Sequence, residues 1–249
     1  MMLKKFSIFI IYGTLMLCMS YAETIQANYD VSYGILGKIG TAKALLKKEA
    51  KTYTIDIKLE ATGLAKLLSR GRMEHHISKG HIRNGVMVSD MYQLIKSHGD
   101  VVINKEYKID HKRKSISKKY TKHKEGKLIT TKTNFLNFYA EDDLLTLYFN
   151  LDSIIKEKQK PHTYIFKAVG AERQKGKVTV IIPKKNNIKR YTDVLGDDSI
   201  WYATAIIHQK IFSSKEGRLM LGVAKDGITN KAVLKDVIFF GDVRAVRTK

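Results

Sequence analysis

Apolar and polar positions alternate along most of the chain. Tyr53-Thr54-Ile55-Asp56-Ile57-Lys58-Leu59-Glu60-Ala61 is apolar at every odd position and polar at every even one. That is the period of a strand with one buried face. Tyr29, Val31, Tyr33 and Ile35 repeat the pattern, which ends near Gly34 and Gly37. Further strands are predicted at residues 72–78, 81–86, 101–111, 115–124 and 127–135, and then at 163–169, 177–182, 202–212, 218–225 and 228–240. Lys79-Gly80, Asn84-Gly85, Glu125-Gly126, Glu216-Gly217 and Asp226-Gly227 fall where such strands reverse, and residues 170–176 form a longer hairpin loop. Glycine in these pairs supplies the positive φ that tight hairpins need.

Two segments depart from the two-residue period. Residues 62–69 form a short helical turn. Residues 141–156 carry Leu144, Leu147, Tyr148, Leu151 and Ile155 on one helical face, with Asp142 and Asp143 at the start, where negative charge suits the helix dipole. This helix divides two β-rich halves. The chain has only two prolines, Pro161 and Pro183, and no Pro/Ser/Gly-rich linker beside the helix, so one domain is expected over residues 23–249. The fold class is mainly β: an antiparallel meander forming a barrel or half-barrel, with one amphipathic helix packed on the sheet or plugging one end.

Residues 1–22 read as a secretory signal peptide. Lys4 and Lys5 precede an uncharged apolar stretch over 6–19, and Ser20-Tyr21-Ala22 offers small residues for cleavage after Ala22. The apolar run is shorter than the roughly 20 residues that span a bilayer. A periplasmic monomer is expected. The single cysteine, Cys18, lies inside this segment, which leaves no disulfide, zinc–thiolate site or cysteine nucleophile in the remainder.

Charge changes the picture. Of 45 Lys and Arg, two lie in the leader, so 43 face 24 Asp and Glu in the remainder. Such a balance favours anionic partners. In an exported chain these are lipid headgroups, lipopolysaccharide or acidic glycans rather than nucleic acid. Lysine-rich composition alone gives the same excess. Residues 105–132 concentrate it, with eleven Lys/Arg against three acids. Lys112, Arg113, Lys118 and Lys119 are the candidates for anionic contacts, on a hairpin that reverses near residues 112–114. The same lysines also protect a sheet edge from aggregation.

Candidate chemistry is sparse. G-x-S-x-G, H-E-x-x-H and P-loop motifs are absent, and the expectation is a non-catalytic protein without cofactor or metal. His75, His76 and His81 form the local histidine cluster, but adjacent strand residues point to opposite faces, so His75 and His76 should not share a ligand sphere. Asp142-Asp143 reads as a helix start and Asp197-Asp198 as a loop. Trp201 with Tyr29, Tyr33, Tyr53, Ile55 and Ile57 would line the interior. Such a barrel either holds an apolar ligand or is filled by its own side chains.

These residues resemble a family of exported Gram-negative proteins known only as a domain of unknown function. The resemblance lies in Tyr29-Asp30-Val31-Ser32-Tyr33-Gly34, Gly37-Lys38-Ile39-Gly40-Thr41-Ala42, Ala61-Thr62-Gly63-Leu64-Ala65, Asp142-Asp143-Leu144-Leu145-Thr146-Leu147-Tyr148 and Ala224-Lys225-Asp226-Gly227. It implies a periplasmic antiparallel β structure similar to lipocalin-like or lipoprotein-carrier half-barrels, and it brings no catalytic residues. The G-x-W signature of lipocalins is missing, since Tyr33-Gly34-Ile35-Leu36 stands there. The expected function is binding or carrying an apolar or amphiphilic envelope molecule such as a lipid. The alternative is an interaction protein that contacts lipopolysaccharide or an envelope protein through the cationic hairpin.

Overall fold

Residues 22–207, 217–237 and 241–248 are described by the structure, a computed structural model. Their alternation folds into one sheet built from two meanders. The first is β1 (Glu23–Tyr33), β2 (Lys38–Lys48), β3 (Thr52–Ala61), β4 (Met73–Arg83), β5 (Val86–His98), β6 (Val101–Asp110), β7 (Ser115–Lys124) and β8 (Lys127–Phe135). The second is β9 (Asp142–Asp143), β10 (His162–Val169), β11 (Lys177–Ile182), β12 (Trp201–Ile207), β13 (Arg218–Val223), β14 (Thr229–Val237) and β15 (Gly241–Arg247). All pairings are antiparallel except the short β9–β10 contact. β1 pairs with β15, Tyr29 opposite Arg247 and Tyr33 opposite Val243, which fuses the meanders into one sheet with β8 and β9 at its ends.

The sheet rolls around one helix. α2 (Leu144–Ile154) carries Leu147 and Leu151, which pack with Ile155 against Val178, Val180, Trp201, Ala203 and Leu221 of β11–β13. Its Leu145 and Phe149 pack against Leu46, Tyr53, Ile55 and Met87 of β2–β5. Polar bonds fix the helix to both walls. The Asn150 amide donates to the Met87 carbonyl at 2.8 Å, and the Trp201 indole donates to Asp152 at 2.9 Å. The interior is therefore occupied by the protein's own helix.

The roll closes by overlap. Val169 and Ala140, from the β9–β10 side, are buried against Tyr92, Tyr107, Ile109 and Ile116 on the inner face of β5–β7. Gly170 lies in the overlap: a Cβ there would stand 3.2 Å from Leu144 and 3.3 Å from Tyr92. On the outside, α3 (Ile188–Leu195) lays Tyr191 and Leu195 over Tyr202, Met220 and Val233. A short helix, α1 (Gly63–Leu68), caps the β3–β4 connection as expected.

Several expectations need correction. The predicted helix at 141–156 begins later, because Asp142–Asp143 is extended and Asp143 is the N-cap of α2. Lys79-Gly80 is no turn. β4 runs straight through it and joins two segments read as separate strands. Gly80 serves close approach instead, since a Cβ would lie 2.0 Å from the Val88 carbonyl oxygen and 2.9 Å from the Tyr53 ring. β2, β5, β15 and α3 are additional elements. Asn84-Gly85 and Glu125-Gly126 do turn hairpins, with all four residues at positive φ. Residues 1–21, Glu216 and the ends of the strands predicted at 202–212 and 228–240 lie outside the described residues. No helix among the described residues is long and apolar enough to cross a membrane.

Candidate functional site

Cross-strand partners share a face, so the register identifies what lines the inside of the β4–β8 wing. One row is Glu74, Lys96, Ile103, Lys122 and Thr130, and the next is His76, Leu94, Lys105, Tyr120 and Lys132. The third is Ser78, Tyr92, Tyr107, Lys118 and Asn134. The concave face thus carries lysines at 96, 105, 118, 122 and 132, where an ordinary half-buried sheet would be apolar. Tyr92 and Tyr107 stack at its base with ring centroids 5.6 Å apart.

Two carboxylates organise this face. Glu74 accepts from Lys96 at 3.0 Å and also pairs with Arg72 and His76. Burial alone would raise the Glu74 carboxyl, but the bonds from His76, Lys96 and Arg72 hold it well below the usual carboxylate range. Glu172 reaches over from the loop after β10, pairing with Lys118 at 2.7 Å and accepting from the Tyr107 hydroxyl. Burial raises it, and those two bonds bring it below its ordinary value. Lys105 stands between the two clusters, half-buried, with no carboxylate at ion-pair distance among the described residues. Burial, then the neighbouring Lys118 charge, push its ammonium down. A desolvated cation of this kind gains most from an anion placed beside it.

The wing opens at one end of the roll, where exposed apolar side chains stand among lysines and arginines. The β1–β2, β3–β4, β5–β6 and β7–β8 connections meet there through backbone bonds: Thr62 N–H to Ile39 O, Gly99 N–H to Arg70 O and Glu125 N–H to Asp100 O. Ile35, Leu67 and Leu68 are 89%, 76% and 74% exposed; Leu36 and Leu64 are exposed in the same connections, Met73 at the start of β4, and Leu128 and Ile129 at the start of β8. Lys66, Arg70, Lys124 and Lys127 are exposed on the same rim. Exposed apolar groups scattered singly mean little, but several gathered at one end of a sheet make that end a candidate interaction surface.

The residues expected to line a pocket do share the inner face, yet most belong to the packed core. Tyr53, Ile55 and Trp201 are buried, and Ile57 packs with Tyr53 and Ile55. Tyr29 is half-buried and donates to the Thr229 carbonyl at 2.9 Å; Tyr33 is half-buried near the rim. Trp201 also borders a surface cleft of about 510 Å³ with residues 156–160 and Ile200. The four expected anion contacts do not form one patch. Lys112 and Arg113 are exposed at the end opposite the rim, Lys119 faces outward, and Lys118 is turned inward onto Glu172. Lys96, Lys105 and Lys122 escaped sequence reading because only the register puts them on one face. His75 and His76 separate as expected, His75 to Asp56 and His76 to Tyr92 and Glu74.

A buried acidic pair anchors α2. The Asp143 carboxylate accepts from the hydroxyls of Ser78, Ser89 and Thr146 and from the N–H groups of Leu145 and Thr146. Beside it, burial and then the Asp143 charge push the Asp142 carboxyl up to about 7, and the buried Asp142 Oδ1 has no hydrogen-bond partner. The unfolded chain loses this proton near pH 4 and the fold near pH 7, so the fold binds more protons between them. Stability from this group therefore declines as pH rises from about 4 to about 7 and is level above. Asp142→Asn should melt above the wild type at pH 8, by about 1–3 kcal/mol, and equal it at pH 4. Paired thermal melts at the two pH values check this.

No family model and no curated protein matches the chain. Among solved structures, it is similar to a β-barrel-like protein of a domain of unknown function, DUF1849, from Brucella abortus. The identity is 12%, with a TM-score of 0.49 over 90% of this chain and 95% of that one.

Proposed function

We propose that this chain is a non-catalytic, exported envelope protein that docks on anionic lipid surfaces and receives an anionic amphiphile on its concave wing. One observation carries the reading: the lysine-lined inner face of β4–β8 opens at the rim where exposed leucines and isoleucines gather. Apolar side chains flanked by lysines are the composition that seats a surface in the headgroup region of a bilayer. The half-buried Lys105, desolvated and with no carboxylate at ion-pair distance among the described residues, supplies the charge that an anionic headgroup would complement. The apolar core is filled by α2, so the amphiphile's anionic part, rather than a deep apolar cavity, dominates recognition. Export rests on residues 1–22.

The rim is tested by vesicle co-sedimentation. Wild type should bind vesicles containing phosphatidylglycerol and ignore pure phosphatidylcholine. Leu67→Asp/Leu68→Asp, both on an exposed helix, should reduce binding about tenfold or more while leaving the melting temperature unchanged, since two exposed apolar anchors contribute roughly 1–3 kcal/mol between them. Undiminished binding by that variant refutes the role of the rim.

A further inference from the structure

We propose that His81, Asp90 and His111 form a binding site for a divalent transition-metal ion of the zinc class. The site lies at the end of the roll away from the lipid-docking rim and is independent of the reading above.

Three separate segments supply the donors. His81 is on β4, Asp90 on β5, and His111 directly follows β6. A β-bulge brings them together. In the β4–β5 ladder, Lys79 pairs with Met91 and Gly80 with Ser89, which leaves Asp90 as the extra residue on its strand. A bulge re-aims the side chain it carries, and here the Asp90 carboxylate swings between the two imidazoles. Its Oδ1 stands 3.1 Å from His81 Nδ1 and 3.3 Å from His111 Nε2. The donor atoms of all three residues lie within 4.8 Å of one another. Ligands about 2.1 Å from a tetrahedral zinc ion stand roughly 3.4 Å apart, so the two Asp90–imidazole separations are already near that spacing. The imidazoles meet edge to face at 86°, with centroids 5.7 Å apart.

The surroundings suit an ion as well. His111 Nδ1, the nitrogen not used for ligation, lies 2.8 Å from the Tyr139 hydroxyl. A metal-bound imidazole usually has such an outer partner, which fixes its orientation. His111 Nε2 lies 2.9 Å from the Ser89 carbonyl, which can only accept, so without an ion Nε2 carries the proton and donates it there. Ligation replaces that bond and places the proton of the neutral ring on Nδ1, facing Tyr139. The side chains of His81 and Asp90 are 38% and 50% exposed, leaving a fourth position open to water. Two imidazoles and one carboxylate with an open position match the donor set of a hydrated zinc ion.

The test titrates Zn²⁺ into chelator-stripped full-length protein against a chromophoric chelator. One equivalent should bind, and Co²⁺ in its place should give the intense visible absorption of a tetrahedral site. Tyr139→Phe should weaken Zn²⁺ binding by about tenfold. His81→Asn, at a solvent-facing position that leaves the fold intact, should abolish stoichiometric uptake, as should His111→Gln. His75→Ala/His76→Ala should bind like the wild type. Zn²⁺ affinity unchanged in His81→Asn, or no uptake by wild type at micromolar Zn²⁺, overturns the proposal.

Discussion

Asp143→Ala is expected to destabilise the fold by about 3–5 kcal/mol, measured as the urea midpoint shift followed by circular dichroism. Asp143 is fully buried, and every acceptor position it offers is used. Alanine removes the N-cap of α2, which alone costs about 1 kcal/mol. It also strips the acceptor from three buried hydroxyls, on Ser78 in β4, Ser89 in β5 and Thr146 in α2. Each orphaned buried donor costs about 1–3 kcal/mol, reduced here because Ser78, Thr146 and Tyr53 can still bond one another. The helix would lose its tie to the wall it packs against, so the damage should spread through the roll. A loss below about 1 kcal/mol would show that apolar packing of α2 suffices without the carboxylate.

Gly80→Ala should cost about 3 kcal/mol or more, a large penalty for one methyl group. The added carbon would sit 2.0 Å from the Val88 carbonyl oxygen, which is backbone and cannot rotate aside. Relief requires spreading β4 from β5 at the bulge. Because Asp90 is aimed by that bulge, the variant should also bind Zn²⁺ more weakly in the titration above. A fully stable Gly80→Ala protein would contradict the close strand approach on which both statements rest.

Gly80 also illustrates how far the sequence can be read. Lys-Gly between two alternating runs has the composition of a hairpin turn, and only the partner strand shows that glycine is there for contact rather than for φ. The strands at 115–124, 127–135 and 177–182 were legible chiefly from the β-branched and aromatic residues they hold and from the turn residues that flank them, such as Glu125-Gly126, Gly176 and Pro183. The helix face of Leu144, Leu147 and Leu151 was legible through its spacing, and Asp143 as a helix start through its type. α3 is short and charged, so its Tyr191 and Leu195 gave too brief a period to recognise. The candidate sites were less visible. Lys96, Lys105 and Lys122 sit among many lysines, and their common face depends on the register of two strand pairs, β5–β6 and β6–β7. His81, Asp90 and His111 are distant in sequence, and a bulge that composition does not announce brings them together. The interior was undetermined for a related reason: alternation marks an inward face without saying what it meets, and here it meets α2.

The central claim is that recognition resides on the concave face rather than on the exposed hairpin tip. Matched charge reversals separate the two most directly, because each changes the net charge equally. Lys105→Glu/Lys122→Glu alters the inner face of the wing, and Lys112→Glu/Lys119→Glu alters the outward side and tip of the same β6–β7 hairpin. Binding to phosphatidylglycerol vesicles would be measured at 0.05 and 0.3 M salt, a range over which screening of exposed charges increases strongly. The account predicts that the inward pair loses binding at both salt concentrations while the outward pair retains it at 0.3 M. Equal losses from both pairs, or a greater loss from the outward pair, would contradict it.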